Sequence, residues 1–119
     1  MSRLTIYQYP KCSTCRKAVK LLESQGHELE SVNVFEEPPT AAQLEQLIQL
    51  SGLDIRKFFN TSGEVYREMN LKEKLPHMTD AEKIDLLASN GRLIKRPIVT
   101  DGRQVTVGFK EAEFVQSWS

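Results

Sequence analysis

The sequence predicts an α/β fold in which helices cover a mixed four-stranded sheet. Three observations lead to this prediction: a strand–helix–strand pattern at the start of the chain, amphipathic helices in its middle and a hairpin signal near its end. A βαβ unit joins parallel strands by a right-handed crossover, whereas a hairpin adds an antiparallel strand. With 119 residues, the chain is expected to form one domain over residues 1–119.

The first third of the chain predicts the βαβ unit. Residues 4–8 are rich in β-favouring side chains and stop before Pro10, which indicates a short buried strand. Apolar positions recur with helical spacing over residues 15–24, and Gly26 provides a stop signal. Residues 29–35 alternate as a second strand does.

The middle of the chain predicts a helical insertion at about residues 40–90. Thr40 is followed by Gln43 at the spacing of a capping box, which opens one helix. Thr79 and Glu82 repeat this spacing and open another helix. Between the two helices, the pattern predicts only short helical pieces.

The end of the chain predicts a hairpin and a closing helix. Pro97 starts a strand at a position where its missing donor is tolerated, and Asp101-Gly102 is a strong hairpin-turn signal. Residues 110–118 predict the last helix, and three of its side chains are expected to face a core: Phe114, Val115 and Trp118. The complete order, βαβ followed by helices and then ββα, resembles the plan of a thioredoxin fold with a helical insertion.

The composition excludes several classes of function. Sixteen basic residues balance sixteen acidic ones, so net charge gives no overall attraction to nucleic acid or to a membrane. The first residues lack the apolar run of a signal peptide, and no stretch has membrane-spanning length. Two closely spaced cysteines also differ from the dispersed cysteines of a secreted disulfide scaffold. We therefore expect a cytoplasmic protein without a membrane or direct nucleic-acid partner.

Cys12 and Cys15 form a Cys-x-x-Cys motif where the first strand passes into the first helix. Cys12 is expected to face unpaired N–H groups at the positive end of the helix dipole, with Lys11 and Arg16 adding charge. Such surroundings lower a thiol pKa from about 8.5 into the range of roughly 3.5 to 7.5. We predict that Cys12 is a nucleophilic thiolate and that Cys15, less exposed on the same helix face, resolves a mixed disulfide on it.

Two other interpretations of the motif stay open. A Cys-x-x-Cys pair can be half of a zinc site, but only His27 and His77 remain as nitrogen ligands and neither has a finger-like spacing, so no metal is predicted. Both cysteines could instead be inert core residues, as isolated free cysteines usually are. The position between strand and helix favours redox chemistry over both alternatives.

Arg96 and Pro97 lie at the start of the third predicted strand. A proline at this place in a thioredoxin-like order suggests the cis-proline loop that packs against the cysteine motif. Arg96 would then bring a forked guanidinium to Cys12, suited to stabilising a thiolate or holding an oxyanion. The alternative is an arginine on the solvated surface.

Several ordered motifs run along essentially the whole chain. They are Tyr9-Pro10-Lys11-Cys12-Ser13-Thr14-Cys15-Arg16-Lys17-Ala18, Pro38-Pro39-Thr40, Gly52, Tyr66-Arg67-Glu68 with Leu71, Leu93-Ile94-Lys95-Arg96-Pro97-Ile98 and Val107-Gly108-Phe109. In these motifs the sequence resembles the arsenate reductase (ArsC)/Spx family, which implies a thioredoxin-like fold. In the arsenate reductases of this family, the matching cysteine attacks arsenate, glutathione completes the reduction and three arginines surround the oxyanion.

The resemblance assigns the site residues. Cys12 and Arg96 match the reacting cysteine and one arginine, with Cys15 as resolving thiol. Asn60 and Phe109 stand where the other two arginines are expected; each lost charge-assisted hydrogen bond removes about 1.5 to 3 kcal/mol, so we expect weakened arsenate reduction. Substrate contacts are expected from Lys11, Ser13, Thr14, Arg16, Asn60 and Pro97.

The resemblance implies two functions. The first is an oxidoreductase, arsenate reductase-like or glutaredoxin-like, that reduces a disulfide or a small oxyanion. It holds no bound cofactor and takes electrons from glutathione, thioredoxin or glutaredoxin. The alternative is an Spx-like regulator whose cysteine pair is a redox switch and which binds the C-terminal domain of the RNA polymerase α subunit. That contact uses a glycine after the second helix, and Gly52 lies close to this place.

Overall fold

A mixed four-stranded sheet confirms the predicted α/β class. The structure is a computed structural model that describes residues 3–61 and 63–118. The strands are β1 (Arg3–Gln8), β2 (Glu28–Asn33), β3 (Ile98–Thr100) and β4 (Val105–Val107), in the spatial order β2-β1-β3-β4. β1 pairs with β2 in parallel, and β3 runs antiparallel to both of its neighbours. The βαβ unit and the hairpin are therefore both present as predicted.

Six α-helices occur in the described residues: α1 (Ser13–Ser24), α2 (Ala41–Ser51), α3 (Glu64–Glu68), α4 (Leu71–Lys74), α5 (Asp80–Ser89) and α6 (Glu111–Trp118). Single 3₁₀ turns lie at Ile55–Phe58, Leu75–His77 and Gly91–Leu93. α1 begins two residues before its predicted start, because Cys12 caps it and apolar periodicity does not reveal a thiol cap. β2 ends before the predicted residue 35, and Val34 is instead fully buried after the strand.

Both predicted capping boxes are confirmed. The Gln43 N–H donates to Thr40 Oγ1 at 3.2 Å, and the Thr40 N–H donates to Gln43 Oε1 at 3.0 Å. Thr79 and Glu82 make the same reciprocal pair at the start of α5. Each box satisfies two N–H groups that a helix start leaves without intrahelical partners, so the sequence defines where α2 and α5 begin.

The chain divides into two compact units. The first comprises residues 3–33 and 96–118 and contains the sheet with α1 and α6. Its core consists of Leu4, Ile6, Ala18, Leu22, Val99, Phe114 and Trp118. The prediction that Val115 also faces this core is wrong: its side chain is 44% exposed, because it lies about 100° around the helix from Phe114.

The second unit comprises residues 34–61 and 63–95 and contains α2 to α5. Its largest fully buried side chains are Phe58, Phe59, Leu44, Leu71, Leu87, Leu93 and Ile94. An isolated bridge between Phe59 and Ile94, together with an N–H···O bond from Lys95 to Phe58 at 2.8 Å, ties the C-terminal end of this unit to its middle. One domain over residues 1–119 with an insertion at about residues 40–90 stays a prediction.

Gly91 yields a stability prediction for the second unit. A Cβ atom at Gly91 would lie 1.8 Å from the Val34 carbonyl oxygen, which is backbone and cannot rotate away. We expect Gly91→Ala to lower the free energy of unfolding by about 3 kcal/mol or more, as measured by urea denaturation.

Gly52→Ala is the matched control for this substitution. Gly52 has a φ of 66° with nothing within 4 Å of an added Cβ, so only the left-handed backbone is penalised, by about 1 to 2 kcal/mol. If Gly91→Ala costs no more than Gly52→Ala, the close approach of the two backbone segments is wrong.

Candidate thiol-redox site

Cys12 caps the helix that follows it. The residue lies between β1 and α1 with extended backbone, and the Cys15 N–H donates to its Sγ at 3.4 Å. The Cys12 N–H donates to the Tyr9 carbonyl at 2.9 Å, and its own carbonyl accepts from the Arg16 N–H at 3.0 Å. The sulfur therefore occupies the position of a capping oxygen, at the positive end of the helix dipole.

The pKa of the Cys12 thiol is lowered from its ordinary value. Burial by itself raises this pKa, but hydrogen bonds from the backbone N–H and the thiol of Cys15 oppose the rise. A hydrogen bond from the Arg96 side chain and the positive charge of Arg96 lower the pKa further, so that the net shift is downward. Cys12 is half-buried, so its sulfur is both activated and accessible.

Cys15 has the opposite character. Its side chain is fully buried, and this burial raises the pKa of its thiol to about 11. The neighbouring Cys12 also raises the pKa of Cys15, while the backbone N–H of Tyr9 and the charge of Arg96 lower it only in part. The two cysteines are thus a half-buried thiol with a lowered pKa and a buried thiol with a raised pKa, as an attacking and a resolving cysteine are expected to be.

The register of the sheet brings Arg96 to the cysteine loop. β1 and β3 are antiparallel neighbours with Tyr7 opposite Ile98, so the residues before β3 lie beside those that follow β1. The Arg96–Pro97 peptide bond is cis, as suggested by its place in the order of elements. Two guanidinium nitrogens of Arg96, Nε and Nη1, are shielded from solvent. Arg96 is therefore not the fully solvated surface arginine of the alternative interpretation.

The other predicted substrate contacts divide between the two units. The side chains of Lys11, Ser13, Thr14 and Arg16 are exposed around the cysteine loop, and Pro97 is buried beside β3. Asn60 belongs to the second unit, where its N–H donates to the Leu93 carbonyl at 2.7 Å. For all six residues, contact with a substrate stays a prediction.

Tyr9 is a site residue that the sequence analysis did not single out. Its carbonyl accepts from the Cys12 N–H, and its own N–H lowers the pKa of Cys15 through a hydrogen bond. The Tyr9 backbone therefore contacts both cysteines. Because these contacts use backbone atoms, the side-chain type at this position gives no signal of them.

Phe109, which stands where a third arginine is expected, is part of the hydrophobic packing. Its ring lies edge-on to Phe114 with 4.8 Å between centroids, and it packs against the core of the first unit. An aromatic ring held there supplies no charge to an anion. The site of the first unit thus presents Arg96 to Cys12 without a cation at position 109.

Side chains that can bind a metal ion do not cluster in the described residues. Over residues 3–61 and 63–118, no group of three or more His, Cys, Asp and Glu side chains is arranged to hold a metal ion. Among the helices of the same residues, none has both the length and the apolar character needed to cross a membrane.

Comparisons with known proteins match nearly the whole chain. A family model described as the ArsC family matches residues 7–116. The uncharacterized protein YusI of Bacillus subtilis is 58% identical over 116 residues, covering 98% of both chains. An Escherichia coli arsenate reductase is 35% identical over 83% of this chain and 69% of the reductase. The global transcriptional regulator Spx of Enterococcus faecalis is 28% identical over 92% of this chain and 82% of Spx.

Solved structures with the same fold include two that are also similar in sequence. An ArsC family related protein from Bacteroides fragilis superposes with a TM-score of 0.90 at 49% identity, over 95% of both chains. An arsenate reductase from Vibrio cholerae has a TM-score of 0.87 at 30% identity, over 97% of both chains. These similarities confirm the thioredoxin-like fold predicted from the order of elements.

The two thiols are expected to titrate far apart. In Cys15→Ser protein, the alkylation rate of Cys12 should rise with the thiolate fraction, with its midpoint below about pH 8.5, the value for an unperturbed thiol. In Cys12→Ser protein, Cys15 should still titrate above about pH 8.5, because its burial raises the pKa of its thiol even after the contribution of Cys12 is removed. Denatured protein is the control, because both thiols should then titrate alike. Equal titration in the native state would contradict the assignment.

Arg96 is expected to tune the Cys12 thiol. Arg96→Ala should raise the pKa of Cys12, since it removes a hydrogen bond and a positive charge. Arg96→Lys should restore the pKa in part, because lysine returns the charge without the planar fork. The measurement is the pH profile of Cys12 alkylation, with Arg103→Ala, an exposed arginine of the same unit, as control. A profile of Arg96→Ala that matches Arg103→Ala would remove Arg96 from the site.

Proposed function

The chain belongs to the ArsC family, and from this premise we propose that it is a thiol-redox enzyme in which Cys12 attacks the substrate and Cys15 resolves the product. One observation carries the proposal: the Cys12 sulfur caps α1 beside Arg96, while Cys15 lies buried within the same helical turn. The first thiol is thereby prepared to react as a thiolate, and the second is withheld until it is needed.

The proposed reaction is the two-electron reduction of a disulfide. The Cys12 thiolate attacks one sulfur of the substrate, forms a mixed disulfide with it and releases the other sulfur as a thiolate. Cys15 then loses its proton and attacks the Cys12 sulfur, which forms the Cys12–Cys15 disulfide and releases the second substrate thiol. The substrate gains two electrons and the cysteine pair loses them. Attack on Cys12 becomes favourable for Cys15 once the Cys12 charge, which raises the pKa of Cys15, is gone.

A thiol reductant closes the cycle. Two molecules of glutathione, or the dithiol of thioredoxin or glutaredoxin, donate two electrons to the Cys12–Cys15 disulfide, so the reaction requires no resident cofactor. We also propose that the protein is cytosolic, because the reducing conditions of the cytosol keep both thiols reduced.

An oxyanion is the second substrate class, and relatives named arsenate reductase favour it. Arsenate requires positive charge around the reacting sulfur, which Arg96 supplies at Cys12. Positions 60 and 109 hold Asn60 and Phe109, and neither side chain is a cation. We therefore rank a disulfide above arsenate as the substrate of this site.

A redox-switched regulator is the second candidate function. Relatives named Spx favour it, and Gly52 ends α2 in a left-handed conformation with φ at 66°, exposed to solvent. The same Cys12–Cys15 disulfide would then act as a signal, and the partner would be the C-terminal domain of the RNA polymerase α subunit. Gly52 is equally explained as the C-cap of α2, so this function ranks below the enzyme.

A side-by-side assay tests the proposed enzyme. We expect wild-type protein to reduce a small disulfide, bis(2-hydroxyethyl) disulfide, with a thiol reductant, and to reduce arsenate more slowly. Cys12→Ser should abolish turnover, since it removes the nucleophile. Cys15→Ser should accumulate the mixed disulfide on Cys12, detectable as a mass increase of the intact protein.

The same preparations separate the enzyme from the regulator. A pull-down compares the binding of the C-terminal domain of the RNA polymerase α subunit to oxidised and to reduced protein. Gly52→Arg protein is the interface control. Turnover without capture supports the enzyme. Capture by oxidised protein alone, lost in Gly52→Arg and without turnover, would replace the enzyme by the switch.

A further inference from the structure

Positive charge is concentrated on the loop before α1 and on the exposed side of that helix. From Pro10 to Leu22 the chain has four cationic residues and no acidic one: Lys11, Arg16, Lys17 and Lys20. All four side chains are exposed. Within the described parts of the chain, none of them forms a salt bridge with a carboxylate. We call these four residues the α1 basic surface.

The placement of these charges does not help α1 to fold. Arg16 and Lys20 are four residues apart and Lys17 and Lys20 three, so their like charges repel on the helix surface. Cations near a helix N-terminus also oppose the macrodipole, which favours acidic side chains there, and α1 has no acidic residue in its first turn. Negative charge supplied from outside the chain would relieve this repulsion.

Two shallow depressions with apolar floors flank Lys20. One, of about 350 Å³, has Pro10 and Val19 in its lining, and the other, of about 330 Å³, has Leu21 and Phe109. Arg16, Lys20 and Glu23 line the first depression, and Lys17, Lys20 and Glu111 line the second. Each depression therefore has two cations and one carboxylate beside its apolar contact area, so positive charge prevails in both, a combination that suits an acidic peptide rather than a bare anion.

We propose that the α1 basic surface docks an acidic segment of a protein disulfide partner and thereby presents the partner's sulfur to Cys12. The inference rests on the proposed function and adds the class of partner. Carboxylates of the segment would neutralise the four cations, and its apolar side chains would occupy the two depressions. Lys20 is eight residues beyond Cys12, about 12 Å along the helix axis. Glutathione has one residue on each side of its cysteine, and an extended residue spans only about 3.5 Å. Glutathione with its sulfur at Cys12 is therefore too short to reach Lys20, whereas a segment of a protein is long enough.

The test uses three disulfides that release the same chromophoric thiol. One is carried by a peptide whose cysteine is flanked by glutamates, one by a peptide whose cysteine is flanked by lysines, and one by a small neutral thiol. The rate constant of attack by Cys12 is measured for wild type, for Lys17→Glu/Lys20→Glu and for a control, Lys72→Glu/Lys74→Glu. The control residues are exposed lysines of α4. Dividing the acidic by the basic rate in each protein cancels any change in the thiolate fraction of Cys12.

We expect wild type and the control to favour the acidic peptide on the order of tenfold at low salt. The preference should shrink as salt shortens the Debye length to about 8 Å at 0.15 M. It should be lost or reversed in Lys17→Glu/Lys20→Glu, while the neutral disulfide reacts as with wild type. Equal rates for the two peptides, or a preference that survives the double substitution, overturn the docking inference and leave the enzyme intact.

Two further outcomes overturn the inference in different ways. If the neutral disulfide does not react through Cys12, the proposed function fails as well. If duplex DNA binds wild type at physiological salt and this binding is lost in Lys17→Glu/Lys20→Glu, the surface recognises phosphate rather than an acidic polypeptide.

Discussion

The hydrogen bond from the Cys15 N–H to the Cys12 sulfur joins the fold of this protein to its chemistry. An N-cap acceptor satisfies a donor that the helix cannot satisfy itself, and most caps use an oxygen. Here the acceptor is a sulfur, and the pKa of its thiol is lowered. Negative charge on that sulfur strengthens the cap and is stabilised by it, because the helix dipole and the N–H donor both favour an anion. The same hydrogen bond therefore both caps the helix and favours the thiolate form of Cys12.

The cap also explains why two cysteines three residues apart differ so strongly. Cys12 lies outside the first turn, where N–H groups and Arg96 lower its pKa, whereas Cys15 lies inside the turn and faces the core. For Cys15 the effect of burial exceeds that of the Arg96 charge, so the neutral thiol is favoured. The proposed order of the two chemical steps rests on this asymmetry.

The sheet brings Arg96 to Cys12. Cys12 follows β1 and Arg96 precedes β3, and the antiparallel pairing of these two strands places the two segments at the same end of the sheet. A residue 84 positions away in sequence thereby becomes a neighbour of the reacting sulfur. The same unit holds Phe109 in its hydrophobic packing. In this unit Arg96 lowers the pKa of Cys12, and the ring of Phe109 adds no charge.

Sequence by itself determined the order of elements, the two capping boxes, the hairpin and the cysteine motif, because all of these depend on neighbours within a few residues. Two details of the helices differ from the prediction: Val115 faces solvent, about 100° around α6 from Phe114, and α1 starts earlier because a thiol cap has no periodic signature. The opposite pKa shifts of Cys12 and Cys15, the backbone contacts of Tyr9 and the hydrogen bond from Arg96 arose only in the tertiary structure. Burial and electrostatic fields depend on which residues surround a group in space, and residues distant in sequence become neighbours only when the sheet forms.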